Sequence, residues 1–336
     1  MERRNTKVGG NKSEVVKAIP NVCSNEQVAV EFMERQRWGN TVACPRCGDC
    51  SVAQMKDKEG NRNKRFLWRC YGCKKQFTVR VGTVMEDSPI PIRFWCLAFY
   101  RAAASKKGVS ALQIQRETGL SYKSALFLMH RIRLAMTESA PDMLGGIVEI
   151  DETIVGGKRK AGRKDGKIQR KRSRENKTQV LAMVERDGNV RTSIIPNRAA
   201  ATLTPIVSSA VKPSARVMTD EWLGYHNIKA ICASHETVNH SEEEYAREDV
   251  TTNTVEGFFA LLQRGIYGTF HSVTKRHLHR YLSEFEFRYN HRKLDDGARM
   301  VAAIQAADGK RLTYKEQTGK SVTSSDSIDS MEGHQA

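Results

Sequence analysis

Three acidic residues, far apart in the chain, have the type and setting needed for metal-dependent chemistry. Asp151 falls inside a strand-like run rich in β-branched residues, Asp220 ends another strand-like run, and Glu256 lies in the first turn of a predicted helix. Carboxylates in a sheet interior are costly unless they are paired or bind metal. Three converging carboxylates can hold two Mg²⁺ ions, one activating the attacking oxygen and one stabilising the leaving 3′ oxygen in an in-line displacement at phosphorus.

Each of these carboxylates also has a simpler structural interpretation, and the residues alone leave both open. Asp151 can be a strand-edge charge among neighbouring glutamates, and Asp220 can start the turn that precedes Trp222. Asn253 and Glu256 have the spacing of a capping box, in which the asparagine caps the helix and the glutamate reaches back to it.

Two CxxC pairs predict a second metal site of a different kind. Cys44 with Cys47 and Cys70 with Cys73 offer four thiolates, the ligand set of a tetrahedral structural zinc, and the residues between the pairs predict a hairpin. The alternative is a set of buried or redox cysteines. Cys50 also has CxxC spacing from Cys47, but Cys44 belongs to the tighter, proline-containing turn, so Cys50 is taken as the spare. A closed four-thiolate site leaves no open position, so this zinc is not catalytic.

The elements that must position the acidic residues follow one another over residues 145–295. A strand around Asp151, a hairpin turning at 187–189, a short helix, a strand ending at Asp220, a further short strand and two helices are predicted. The order β-β-β-α-β-β-α-α predicts an α/β (α+β) fold, with a mixed sheet covered by helices. The ribonuclease-H fold is one such arrangement.

Residues 109–136 predict a helix-turn-helix. Ser110 and Ser121 are the predicted caps of its two helices, and Gly119 lies in the turn. The residues of the second helix that suit a major groove are Tyr122, Lys123, Arg131 and Arg133. The alternative is an ordinary helical hairpin that links two domains.

The charge balance indicates a polyanionic partner. The formal net charge is +17, which favours nucleic acid, and no basic amphipathic helix stands alone to serve a membrane surface. The basic segment 158–177 follows the first acidic strand and predicts a clamp on the DNA backbone; the alternative is a solvated loop. The DNA contacts predicted in this segment are Lys158, Arg159, Lys160, Arg163, Lys164, Arg170, Lys171 and Arg172.

The remaining composition bounds the class of protein and its domains. No apolar run is long enough to span a membrane and the N-terminus has no apolar signal core, so a cytoplasmic protein with no membrane partner is expected. The predicted division is a disordered N-terminus (1–20), a zinc ribbon (21–85), a helix-turn-helix region (90–140), a mixed-sheet domain (145–295) and a disordered tail (315–336).

The chain resembles bacterial insertion-sequence DDE transposases with an N-terminal zinc ribbon, the ISXO-like group. The matching stretches include CPRCG, WRCYGCKKQFTVRVGTVMEDSPIPIRFW, VEIDETIVGGK, VMTDEWLGYH and TTNTVEGFFALLQRGIYGTFHSV, in the family's order. The resemblance implies a ribonuclease-H-like catalytic domain and a two-metal site at Asp151, Asp220 and Glu256. Members vary at the third position, where Asn253 is the nearby alternative. Many carry a lysine where this chain has Gln263, so Arg264 is the candidate substitute.

The function expected from the resemblance is transposition. The protein would bind the terminal inverted repeats of its element, cleave DNA with Mg²⁺ or Mn²⁺ and join the 3′ end to target DNA. Both double-stranded ends must be held together, so a homodimer or higher assembly on DNA is expected. Two alternatives stay open: a non-catalytic DNA-binding regulator that uses only the ribbon and helix-turn-helix, and a nuclease that cuts without joining.

Overall fold

The chain is described here from a computed structural model, over residues 13–156, 162–164, 167–169, 177–238, 246–247 and 249–318. It divides into two compact units. The ribbon unit comprises the described parts of Lys17–Phe99, Ala111–Ala135 and Val301–Ala336. The sheet unit comprises the described parts of Met1–Val16, Tyr100–Ser110 and Met136–Met300.

The helices and strands occur in both units and are numbered along the chain. The α-helices are α1 (Ser13–Ser24), α2 (Glu26–Trp38), α3 (Ile92–Ala104), α4 (Ala111–Thr118), α5 (Tyr122–Ala135), α6 (Ala200–Ala210), α7 (Asn253–Gly265), α8 (Leu278–Asn290), α9 (Asp296–Gln305) and α10 (Tyr314–Thr318). The strands are β1 (Val52–Gln54), β2 (Trp68–Cys70), β3 (Gln76–Phe77), β4 (Ile147–Val155), β5 (Gly162–Lys164), β6 (Lys167–Gln169), β7 (Thr178–Glu185), β8 (Val190–Ile195), β9 (Arg216–Asp220), β10 (Ser234–Val238), β11 (Ala246–Arg247) and β12 (Val250–Thr251).

The sheet unit is built on a five-stranded mixed sheet in the order β10-β9-β4-β7-β8. β4, β7 and β8 are antiparallel neighbours, whereas β4, β9 and β10 run parallel. β7 and β8 form the predicted hairpin, in which Glu185 N donates to Asn189 O over 2.9 Å and Asp187 has a φ of +58°. The predicted order of main elements is confirmed, and the sheet order is that of the ribonuclease-H fold.

The alternation of side chains gives this sheet two different faces. On β4, Val148 and Ile150 belong to the core that also contains Val207 of α6. Val155 belongs to a separate core that contains Phe258 of α7. Successive side chains of a strand point to opposite faces. Odd-numbered positions of β4 therefore face α7, and even-numbered positions face α6.

The ribbon unit contains the small antiparallel sheet β1-β2-β3. Its core includes Phe77 and Trp68, and the ring of Trp38 at the end of α2 meets both rings edge-on at 5.9 and 6.3 Å. β1 and β2 are the two arms of the hairpin predicted between the cysteine pairs. Helix α2 was not predicted. Its last residue, Trp38, adds an aromatic ring to the small core of the three short strands.

Two of the segments predicted to be disordered contain helical residues. Residues 13–20 lie in α1, and residues 315–318 lie in α10, so for these residues the prediction is wrong. The prediction of disorder in residues 13–20 relied on their polar composition. The apolar residues of α1 are nevertheless spaced so that Ile19 and Val22 are buried. Residues 1–12 and 319–336 lie outside the described parts of the chain. Within those parts, no helix is both long and apolar enough to cross a membrane.

Candidate active site

Asp151 and Asp220 lie on neighbouring parallel strands, just beyond the part where the two strands pair. β4 and β9 pair in parallel with Glu149 opposite Met218. Each aspartate lies two residues beyond this pair on its own strand. Met218 packs in one cluster with Ile147, an odd-numbered residue of β4, so both aspartates share the face turned toward α7. Strands in a sheet lie about 4.8 Å apart, which is close enough for two carboxylates to share an ion.

Helix α7 is fixed over Asp151 by hydrogen bonds on either side of it. In the first turn, Thr254 N donates to Glu149 Oε2 over 2.7 Å. Near the last turn, Gln263 Nε2 donates to Thr153 Oγ1 over 3.0 Å. Asp151 lies midway between these two strand residues and points to the same face. The helix therefore runs along the strand directly above the first aspartate.

Glu256 lies on the flank of α7 that turns toward β4. Seven residues make two helical turns, so Glu256 and Gln263 share one flank, and Gln263 is bonded to the strand. The core-facing side of α7 is different and contains Val255 and Phe258. Glu256 itself is exposed and can be reached by an ion or a substrate.

The capping box considered as the alternative role of Asn253 and Glu256 is not formed at the start of α7. The N-cap is Thr252, and Asn253 is the first helical residue. Thr252 makes no side-chain hydrogen bond to the helix backbone; its hydroxyl donates to Glu256 Oε1 over 3.1 Å. Asn253 is exposed beside the site, so it stays the alternative third residue.

The chemistry of the acidic residues fits a divalent ion, although their oxygens do not form a closed cage. Asp151 and Asp220 are partly exposed and offer the hard oxygen ligands that Mg²⁺ and Mn²⁺ prefer. Asp220 Oδ1 also accepts a hydrogen bond of 3.1 Å from Trp222 N, so the predicted turn role exists beside any metal role. Among the described residues, the only His, Cys, Asp or Glu side chains that converge in a group of three or more are cysteines.

A second set of polar residues lies on the other face of β4, next to Asp220. Glu152 accepts hydrogen bonds from the Tyr225 hydroxyl and forms an ion pair with Arg198. Arg198 Nη2 also lies 3.6 Å from Asp220 Oδ2. Burial, followed by the negative charges of Asp151 and Asp220, raises the pKa of Tyr225 far above its ordinary value. Tyr225 therefore stays protonated and acts as a donor.

Trp222 is held at the edge of this site. Its indole Nε1 donates to Arg198 O over 2.9 Å, and the Arg198 guanidinium lies 4.3 Å from its ring centroid. A Cβ atom at Gly224 would come within 2.3 Å of Arg198 O, so only glycine permits this close approach. The sequence analysis did not single out Arg198 or Tyr225: Tyr225 lies in the matching stretch VMTDEWLGYH, but its partner Glu152 is 73 residues away.

The four predicted zinc ligands converge in the ribbon unit. The Sγ atoms of Cys44, Cys47, Cys70 and Cys73 all lie within 4.8 Å of one another. Sγ atoms of Cys44 and Cys73 are 3.7 Å apart, and those of Cys47 and Cys70 are 3.6 Å apart. A tetrahedral ion with Zn–S bonds of about 2.3 Å requires sulfur atoms about 3.8 Å apart. The cluster therefore fits a structural zinc ion.

Each cysteine pair is shaped by its own tight turn. Gly48 N donates to Cys44 O over 2.8 Å, and Cys70 N donates to Lys75 O over 3.0 Å. Gly48 and Lys74 both have positive φ angles, of +77° and +59°. Cys50 is exposed and is not part of the converging group, in agreement with its prediction as the spare cysteine.

The helix-turn-helix region contains the predicted turn, but only part of its predicted DNA-reading surface. Gly119 N donates to Gln115 O over 2.8 Å at a φ of +71°, and Ser121 Oγ caps the second helix by accepting from Ser124 N over 3.2 Å. Tyr122 is 46% exposed. Lys123 is exposed beside it. Both lie in the first turn of α5, where a recognition helix contacts bases.

Arg131 and Arg133, by contrast, are buried in the ribbon unit, so their prediction as DNA contacts is wrong for this structure. Only 5% of Arg131 and 1% of Arg133 are exposed. The Arg131 guanidinium donates to the backbone oxygens of Val84, Glu86 and Leu312 over 2.8–3.0 Å. Its charge is thus used to satisfy three carbonyl groups rather than a phosphate.

The predicted basic clamp lies largely outside the described residues. The positions not described are Lys158, Arg159, Lys160, Arg170, Lys171 and Arg172. Arg163 and Lys164 belong to β5, which pairs with β6 in a small antiparallel hairpin. Arg264 is exposed on α7, one position around the helix from Gln263, and its Nε donates to Ala260 O of the same helix.

Comparison with known proteins supports the same two-part division. Residues 143–290 match the model of the ISXO2-like transposase domain, and residues 24–76 match that of the transposase zinc-ribbon domain. An uncharacterized protein in transposable element ISH50 of Halobacterium salinarum is 30% identical over 278 residues, covering 79% of this chain and 90% of that protein. An uncharacterized transposase-like protein of Haemophilus influenzae is 32% identical over 105 residues, covering 31% of this chain and 84% of that protein.

The crystal structure of a pre-cleavage Mos1 transpososome is similar at 14% identity and a TM-score of 0.26, covering 90% of this chain and 99% of that one. The two domain matches and the long alignment with the ISH50 protein show the family. The chain belongs to the ISXO2-like family of insertion-sequence transposases, DDE enzymes with an N-terminal zinc ribbon.

Proposed function

We propose that this transposase binds the terminal inverted repeats of its element and catalyses metal-dependent DNA cleavage and strand transfer. Asp151, Asp220 and Glu256 are the proposed catalytic residues. The observation that supports this proposal is the parallel pairing of β4 with β9, in which Glu149 lies opposite Met218 two residues before each aspartate, with α7 hydrogen-bonded to β4 on either side of Asp151.

The proposed roles follow from the chemistry of each side chain. Two bound Mg²⁺ or Mn²⁺ ions would activate the attacking oxygen and stabilise the leaving 3′ oxygen. Asp151 and Asp220 would hold these ions from the sheet, and Glu256 would supply an oxygen from α7. Arg198 balances the negative charge next to Asp220 until a divalent ion is present. Tyr225 donates to Glu152 on the opposite face of β4 and fixes the position of that carboxylate.

DNA recognition is assigned mainly to the ribbon unit. A structural zinc at the four cysteines would fix the ribbon, while Tyr122 and Lys123 would enter the major groove at the start of α5. Segment 158–177 of the sheet unit would clamp the phosphate backbone, with Arg264 as a further contact. Because both element ends must be joined to one target, we propose that the active species on double-stranded DNA is a dimer or higher assembly.

A strand-transfer assay with inverted-repeat DNA and Mg²⁺ or Mn²⁺ tests the proposal. Asp151→Ala and Asp220→Ala are expected to lose both cleavage and joining while DNA binding, measured by gel shift, is retained. Joining that is unchanged in both variants would exclude the acidic residues as the catalytic site. A transposase yields joined products, a nuclease on the same fold yields only nicks, and a regulator yields neither with the unmodified chain.

A further inference from the structure

Glu149 is a buried carboxylate that serves as the cap of a helix more than 100 residues away. Its side chain is 0% exposed. Oε2 accepts from Thr254 N over 2.7 Å and from Val255 N over 3.1 Å, and Oε1 accepts from Thr254 Oγ1 over 2.9 Å. The first backbone N–H groups of a helix have no partner within it and favour a negative charge. Glu149 therefore accepts the hydrogen bonds from the first N–H groups of α7 that the side chain of the N-cap residue, Thr252, does not accept.

The charge of Glu149 is balanced by Arg186, and this ion pair touches every element of the proposed active site. Arg186 Nε donates to Glu149 Oε1 over 2.6 Å. Arg186 Nη2 lies 3.1 Å from Met218 Sδ in β9 and donates to Thr251 O, just before α7, over 3.3 Å. Asp151 follows Glu149 by two residues on the same face of β4. The pair thus connects the strands of both aspartates with the helix of the third residue.

We propose that Glu149, supported by Arg186, is a positioning residue for the catalytic metal site: it fixes the first turn of α7, and with it Glu256, at a set distance from Asp151 and Asp220. This inference rests on the proposed function. Because Glu149 supplies the cap from the strand, the carboxylate of Glu256 is not needed to cap its own helix. It can therefore serve as a ligand, although its spacing from Asn253 matches a capping box.

Glutamine at position 149 has the same length but cannot make the same bonds. Its single carbonyl oxygen can accept from the helix N–H groups or from Arg186 and Thr254 Oγ1, and its amide group would face the other donors. Residues that orient metal ligands typically contribute about 10- to 100-fold to metal affinity. Glu149→Gln is therefore expected to weaken Mn²⁺ binding about 10-fold.

The measurement is Mn²⁺ affinity of the full-length chain by electron paramagnetic resonance, which requires no turnover. The matched control is Glu286→Gln, another carboxylate of the sheet unit that bonds to a neighbouring element, at Thr192 N and Oγ1 of β8. Both variants should lower the melting temperature, but only Glu149→Gln should weaken Mn²⁺ binding. Mn²⁺ affinity that is equal in Glu149→Gln and the unmodified chain would overturn the proposal.

A double variant separates positioning from simple loss of charge. If Glu149 acts through Glu256, then adding Glu149→Gln to Glu256→Ala weakens Mn²⁺ binding no further. If the effects add, Glu149 acts only through its long-range charge and the positioning role is wrong. If Glu149→Gln does not fold, Thr254→Val is used instead, because it removes only the hydroxyl hydrogen bond to Glu149. Weaker Mn²⁺ binding in Thr254→Val supports the proposal, and unchanged binding overturns it.

Failure of the proposed function gives a different result. If Asp151→Ala and Glu256→Ala bind Mn²⁺ as tightly as the unmodified chain, the ions bind elsewhere and the catalytic assignment itself is wrong. If those two variants weaken binding and Glu149→Gln does not, the catalytic assignment stands and only the positioning role fails.

Discussion

The cysteine cluster and the acidic site are both suited to metal ions, but the chain builds them in opposite ways. The cysteines come in two tight turns, and each turn fixes two sulfur atoms through its own backbone hydrogen bonds. The acidic residues come from two strands and a helix, and their spacing depends on strand register and on the buried Glu149. A local site can be specified by a short motif, whereas a site of distant residues needs dedicated supporting contacts.

The largest expected effect is at the local site. Cys70→Ser should release the zinc and unfold the ribbon, because structural zinc contributes on the order of 10 kcal/mol to folding in small zinc modules. Zinc content by chromogenic assay and DNA binding by gel shift should both fall to background. A variant that keeps a folded ribbon without zinc would show that the cysteine cluster does not stabilise the ribbon through a metal ion. Mn²⁺ binding in the sheet unit, measured in parallel, serves as the control.

At the acidic site, Asp220→Asn should abolish chemistry without unfolding. Asparagine preserves the acceptor for Trp222 N but removes the charge needed beside a divalent ion. Cleavage and joining should fall by about 10²–10³-fold or more, with DNA affinity and melting temperature nearly unchanged. Retained cleavage would show that the charge of Asp220 is not used in the reaction.

A smaller effect, on stability, is expected at Arg131, one of the two arginines that are buried and do not face DNA. Arg131→Met should destabilise the ribbon unit by about 3 kcal/mol, because three carbonyl oxygens lose their donor inside the protein. Chemical denaturation measures the loss. Under conditions where the variant is folded, the salt dependence of DNA binding should match that of the unmodified chain. A reduced salt dependence would instead indicate a phosphate contact.

Lys123→Gln should have the converse effect, on DNA binding and not on stability. A lysine in the major groove that neutralises one neighbouring phosphate contributes about one unit to the slope of log affinity against log salt concentration. Lys17→Gln, an exposed lysine in α1, is the matched control and should leave the slope unchanged. Equal slopes in both variants would remove Lys123 from the DNA interface.

The smallest effect is expected for the spare cysteine. Cys50 is exposed and lies apart from the converging sulfur atoms. Cys50→Ser should keep one zinc per chain and the same DNA affinity, as measured by zinc content and gel shift. Loss of zinc would mean that Cys50 replaces one of the four assigned ligands.

Much of the fold could be predicted from the sequence because its signals are local. The CxxC pairs, the hairpin turn at Asp187 and the order of strands and helices each depend on residues close together in the chain. Asp151 and Asp220 were found in this way, as acidic residues in otherwise apolar strands. That their two strands are neighbours in the sheet is a property of the fold, which periodicity does not give.

The errors arose where distant contacts decide the outcome. Arg131 was predicted to contact DNA because it follows a helical pattern, but its partners include Leu312, which is 181 residues away. The alternation of β4 indicates that Glu149 shares a face with Asp151, yet nothing in the sequence shows that Thr254 is its partner. Tyr225 lies in the matching stretch VMTDEWLGYH, but its role and that of Arg198 could not be predicted, since the two residues meet at Glu152 only in the folded protein.

The pairing of β4 with β9 has a consequence for how copies of such an element decay. Inserting a single codon between Arg216 and Val217 would leave every recognisable motif intact, including VMTDEWLGYH. It would nevertheless rotate the second aspartate to the far side of the sheet, because neighbouring side chains point in opposite directions. Genomic copies that look complete by their motifs can thus be silent, and the number of residues between motifs is the better guide to which copies still move.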